Sequence, residues 1–151
     1  MIEWPQQRTK AAELRARLLS ACERLHVPVL FKPQLRRNAA GLAYKDRIEV
    51  CDSLEIIESA GTLAHELGHE CLHFDVNGDC GFPQEFEEHE ACEVEARVLA
   101  HFGVKALQSD ARASARVQAA VDRIVSEVER EEQIEVVNAL QNFSRALENY
   151  L

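Results

Sequence analysis

The stretch that most constrains this chain is IIESAGTLAHELGHECLH, residues 56–73. The pattern predicts a helix from about residue 54 to 73, at about 100° per residue. Ile56, Ala60, Leu63, Leu67 and Cys71 then lie along one side. His65, His69 and His73 fall within about 80° of one another, nearly opposite. A helix of this kind lays its apolar side on a core and leaves its histidines on a second surface. The plain alternative is a solvated face that happens to be rich in His and Glu. Whatever the fold, it has to put this segment between a packed interior and a polar space.

The rest of the chain supplies modest surroundings. A length of 151 residues suits one domain, 1–151, with a core of its own. Leu14, Leu18, Leu19, Cys22 and Leu25 predict an N-terminal helix over 7–25, with Pro5 at a position that a helix start tolerates. VPVLFKP reads as a short strand between prolines, which suits a sheet edge. Gly41–Tyr44 and Arg47–Cys51 read as two strands joined by a tight turn at Lys45-Asp46. Asp52 or Ser53 is the expected cap of the histidine helix. DVNGDCGFP reads as a loop, and a further helix spans about 86–102 and stops at Gly103. Beyond it, Val117, Val121, Ile124 and Val128 form one helical stripe, and Val136, Leu140, Phe143 and Leu147 form another. The polar run EREEQ lies between them, so the tail is either a helical hairpin or one long bent helix. The expected class is α+β: a small antiparallel sheet packed on helices, with the histidine helix central and a helical C-terminal tail.

Charge and cysteine content narrow the function classes. The net charge of −9 is uneven: residues 1–50 hold ten Lys/Arg against five Asp/Glu, and residues 51–104 hold thirteen acidic residues against Arg97 alone. The basic first third allows contact with nucleic acid, although such charges more often form a solvated face. The five cysteines have no CxxC spacing and read as reduced, packed thiols. The N-terminus is charged and lacks an apolar signal core, and no apolar run is long enough to span a bilayer. The expectation is a cytoplasmic protein.

His65-Glu66-Leu67-Gly68-His69 is an H-E-x-x-H pattern. Imidazoles one turn apart stand one above the other and can bind a single Zn²⁺, while Glu66 can reach a metal-bound water rather than the metal. A catalytic zinc needs a third protein ligand. The six-residue step to a further histidine is broken, because position 75 is Asp and position 72 is Leu. A glutamate from the following helix, EEHEACEVEARVLAHF, is the other solution. Its candidates are Glu90, Glu93 and Glu95: Glu95 lies among apolar positions, Glu93 lies on a small-residue face, and pattern alone does not separate them.

RIEVCDSLEIIESAGTLAHELGHECLH, followed by EVEARVLAHFGV, resembles the ImmA/IrrE-type zinc metallopeptidases over about residues 40–104. The resemblance implies a zincin-like fold, zinc on His65 and His69, Glu66 as catalytic base, and the first Glu of E-x-E-A, Glu93, as third ligand, with Glu95 as runner-up. It also implies hydrolysis of a peptide bond in a cytosolic polypeptide, such as a transcriptional repressor. Many such modules accompany mobile elements, so the second expectation is a zinc-bearing antirestriction-type module acting on DNA or a protein without proteolysis. Arg97 stands where the family often has Asn. The Gly41–Tyr44 or the Arg47–Cys51 strand can bind an extended substrate by strand addition at the sheet edge. Tyr44, His73, His89 and His101 are the candidates for oxyanion stabiliser, and His73 and Tyr44 also stand as candidates for a supporting or substrate-side role. The C-terminal stripes suit either the core or the seam of a homodimer.

Overall fold

The computed structural model describes residues 4–75, 78–79, 83–104 and 114–149. It is a mixed α+β arrangement built around one helix. Helix α1 (Trp4–Arg24) leads into strand β1 (Val29–Lys32), then β2 (Gly41–Tyr44) and β3 (Arg47–Cys51). Helix α2 (Ile56–His73) carries the histidines. A two-residue ribbon follows, β4 (Phe74–Asp75) and β5 (Gly78–Asp79), before α3 (Gln84–His101) and α4 (Ala115–Glu148). The expected 75–83 loop therefore contains a short antiparallel pairing of Phe74 with Asp79 and Asp75 with Gly78. Among the described residues, no helix is long and apolar enough to cross a membrane.

The main sheet is mixed, not purely antiparallel. Its order is β1-β3-β2, with β2 antiparallel and β1 parallel to β3. The two-residue turn at Lys45-Asp46 forces β2 and β3 into a hairpin, which leaves the other edge of β3 for β1. Residues 33–40 carry the chain across the end of β3, so β1 and β3 run the same way. Two consecutive left-handed residues, Arg37 (φ 58°) and Asn38 (φ 54°), turn the chain there. Ile48 and Val50 alternate onto the buried face. Glu49, between them, is also buried, and Lys32 Nζ (2.8 Å) and Arg47 Nε (2.9 Å) hold its carboxylate.

Helix α2 packs on α1, α3, α4 and strands β2 and β3. Ala60, Leu63 and Leu67 meet Leu14, Leu18, Ile48, Val94 and Val98 in one core. Each fully buried Leu or Ile contributes about 1.5–3 kcal/mol relative to exposure. The helix is capped by Glu55, whose carboxylate accepts the Ile57 N–H at 3.0 Å. Asp52 and Ser53 do not cap it, because they serve the sheet end: Asp52 N–H donates to the Lys32 carbonyl (2.9 Å), and Ser53 Oγ lies 3.2 Å from Cys51 Sγ. At the other side of the core, α3 ends where Gly103 takes a left-handed conformation (φ 73°) that a side chain would resist.

The tail is one continuous 34-residue helix. Ser114 caps it by accepting the Val117 N–H at 3.2 Å. Val117, Val121, Ile124 and Val128 are buried against the body. In the second stripe, Leu140 is 64% exposed and Phe143 63%.

Candidate metal centre

Helix α2 sets His65 and His69 one turn apart, with ring centroids separated by 5.0 Å. Their Nε2 atoms converge on a single carboxylate of α3. Glu88 Oε2 lies 3.1 Å from His65 Nε2, and Glu88 Oε1 lies 2.8 Å from His69 Nε2. The nearest donor atoms of His65, His69 and Glu88 all fall within 4.8 Å of one another, close enough for one ion to meet all three. His69, His73 and Glu87 form a second such group, sharing His69 with the first.

The three candidate glutamates of α3 go to three different places. Glu95 Oε1 sits 3.1 Å from His65 Nδ1, on the opposite side of the ring from Glu88. Glu90 is buried against His73, with 2.9 Å between Oε1 and Nε2. Glu93 lies 3.4 Å from Arg97 Nε on its own helix and belongs to neither group of converging donors. Helix geometry accounts for this. Glu88 and Glu95 are seven residues apart, about 20° apart around the axis, whereas Glu93 lies about 140° from Glu88. The residue that motif reading passes over is thus Glu88, which lies outside the E-x-E-A string. Its signal was available: it sits two turns before Glu95, on the same face.

Glu66 faces the same space. It is buried and borders a cleft walled by Gly41, Leu42 and Ala43 of β2 and by Gln84, Glu87 and Glu88 of α3, with His69 at its base. Strand β2 approaches α2 so closely that a Cβ on Gly41 would lie 2.5 Å from Thr62 Cγ2 and 2.9 Å from Glu66 Cγ. Burial, above all, pushes the Glu66 carboxyl up to about 7; the His65 charge opposes the rise, and Glu88 and Glu95 reinforce it. His69 is held down to about 4, first by burial and then by the charge of His65. Burial also acts against a charge on His65, but the Glu95 hydrogen bond and the Glu66, Glu88 and Glu95 charges outweigh it, so its pKa is raised.

The remaining candidates stand apart from the cleft. Tyr44 lies at the far end of β2 with the Arg47 guanidinium 4.0 Å over its ring. His101 meets Glu129 of α4 at 2.9 Å, and His89 is exposed on α3. His73 sits behind His69, with 2.9 Å between their Nδ1 atoms. Of the cysteines, Cys22 is buried and its thiol is pushed up to about 12, chiefly by that burial. Cys92 differs from the expected packed thiol: it is exposed, and its Sγ comes within 3.9 Å of His65 Nδ1. Cys80 lies outside the described residues.

The chain matches no protein-family model, no curated protein and no solved structure.

Proposed function

We propose that this chain is a zincin-like, zinc-dependent endopeptidase related to the ImmA/IrrE-type metallopeptidases, with His65, His69 and Glu88 as metal ligands and Glu66 as general base. The observation that carries the reading is the convergence of two Nε2 atoms on one α3 carboxylate, beside a buried Glu66. Two imidazoles and a carboxylate are a donor set that catalytic zinc sites use, with a fourth position left for water. In this proposal the ligand role that the resemblance gives to Glu93 passes to Glu88, and Glu95 orients His65 by accepting its Nδ1–H.

Bound zinc supplies a lowered pKa for its water and a polarised scissile carbonyl. Glu66 supplies the proton transfer. A carboxylate beside the metal position can take the proton from the attacking water and return it to the leaving amine. Strand β2 supplies orientation. It is an edge strand walling the cleft, so an extended polypeptide can pair along it and pass its backbone over Glu66 and His69. The substrate is a polypeptide, with a repressor-like regulator as the class that the resemblance suggests.

The test joins metal analysis with peptide hydrolysis. The wild type is expected to bind one zinc ion and cleave an unfolded protein substrate. Glu66→Gln keeps the metal and loses about 10²–10⁴-fold in rate. Glu88→Ala loses the metal, Glu93→Ala keeps it, and Glu95→Ala binds it about 10–100-fold more weakly. Full occupancy in Glu88→Ala together with loss in Glu93→Ala would restore the ligand set that the resemblance implies. The second reading, a zinc-bearing module that contacts DNA or a protein without cutting, draws on the basic first third, where Arg36 and Arg37 are exposed. A Glu66→Gln chain with its full biological effect decides for that reading.

A further inference from the structure

We propose that His73, Glu90 and Arg116 form a positioning relay that fixes the tautomer of His69 and so presents its Nε2 lone pair to the metal; this rests on the reading of His69 as a ligand. The relay is continuous and mostly out of solvent. His73 is 1% exposed and Glu90 3%. Glu90 Oε2 lies 3.0 Å from Arg116 Nε, and Oε1 lies 2.9 Å from His73 Nε2. His73 Nδ1 lies 2.9 Å from His69 Nδ1, and His69 Nε2 faces the site.

The direction of each hydrogen bond follows from which atoms can donate. Arg116 forms an ion pair with Glu90, and its cation compensates the charge of that buried carboxylate. An ionised Glu90 can only accept, so His73 Nε2 must carry a proton. A neutral His73 then has a bare Nδ1, which accepts from His69. With His73 neutral, His69 carries its proton on Nδ1 and its Nε2 is left with a lone pair; a doubly protonated His73 would reverse that assignment. That lone pair points at Glu88 Oε1 from 2.8 Å. His65 is arranged in the same way by a shorter route, with Glu95 on its Nδ1 and Glu88 on its Nε2. Both ligand histidines are thus oriented from behind, one directly by a carboxylate and the other through a second histidine.

Arg116 gives the relay its reach. It lies near the start of α4, and its Nη2 also donates to the Leu72 carbonyl at 3.1 Å, in the last turn of α2. One side chain from the tail helix thereby holds the end of the metal-bearing helix and the carboxylate that directs His73. The tail is tied to the metal site by polar contacts as well as by its buried valines.

The test reads the tautomer directly, on the metal-free full-length chain. Long-range ¹H–¹⁵N spectra of the histidine rings at pH 8 are expected to show His69 protonated on Nδ1 in the wild type. Glu90→Gln, which can either donate to or accept from His73, is expected to give a mixture of both tautomers. Zinc affinity is then measured on the wild type, His73→Phe, Glu90→Gln and Arg116→Met. Losses of about 10–100-fold are expected for His73→Phe and Glu90→Gln, with a smaller loss for Arg116→Met. Glu90→Gln is nearly isosteric, so it serves if His73→Phe fails to fold. A wild-type His69 protonated on Nε2, or unchanged zinc affinity in Glu90→Gln, overturns the relay. Failure of the wild type to bind zinc sinks the metal reading instead, and the tautomer spectra still judge the relay.

Discussion

Glu66→Gln is expected to stabilise the metal-free protein at pH 8, because the wild-type chain buries an ionised carboxylate there. The folded Glu66 carboxyl is raised from 4.5 to about 7. At about 1.4 kcal/mol per pKa unit, ionising it in the fold costs on the order of 3 kcal/mol more than in the unfolded chain. The sign follows from proton binding. Between pH 4.5 and about 7 the folded state holds the proton more tightly, so this group lowers stability as pH rises through that window. Glutamine has nearly the same shape and no charge to bury. Urea unfolding of both chains after chelation gives the comparison. The variant is expected to gain about 2–3 kcal/mol at pH 8, and the gain is expected to shrink toward nothing at pH 4.5. Equal stabilities at pH 8, or a gain of the same size at both pH values, would refute the argument that burial raises this carboxyl. The prediction also separates chemistry from folding, since the chain that is more stable without metal is the one expected to lose the reaction.

Two further outcomes concern the edges of the site and the tail. Gly41→Ala drives a methyl into Thr62 and Glu66, so β2 must move off α2; a loss of about 1–3 kcal/mol in chemical denaturation is expected, with a lower hydrolysis rate. A paired substitution of Leu140 and Phe143 by Glu is expected to leave monomer stability within about 0.5 kcal/mol, since both side chains are exposed. The same pair is expected to abolish any dimer seen by sedimentation, and a dimer that survives it does not use the tail stripe.

Local patterns were legible in the sequence, and relations between distant segments were not. The hairpin Gly41–Cys51 could be read residue by residue, because alternation and a two-residue turn leave little freedom. The parallel partner of β3 could not be read, because strand order is set by where residues 33–40 cross and no local periodicity encodes that. In the tail, EREEQ separates two apolar stripes but consists of good helix formers, so it spaces them without breaking the helix. On α2 the wheel put Leu63 and Leu67 on one face and the histidines on another. It had no means of showing that His73 is as buried as the leucines, because that burial depends on Glu90 being there to accept its proton. The carboxylate that meets both His65 and His69, Glu88, was hidden for the same reason. Choosing among the glutamates of α3 requires the rotation of that helix about its axis, and packing fixes that rotation.

The order β1-β3-β2 leaves the sheet with two outer strands, and they are treated differently. Strand β1 is four residues long, lies between Pro28 and Pro33, and has the Arg15 guanidinium 4.6 Å over the ring of its Phe31. Prolines at both ends and a cation lying across an aromatic ring make it a poor template for a strand from another molecule. Strand β2 has no proline and walls the cleft. One border of the sheet is therefore a poor template for pairing with another copy, and the other, which walls the cleft beside His69 and Glu66, carries no such guard.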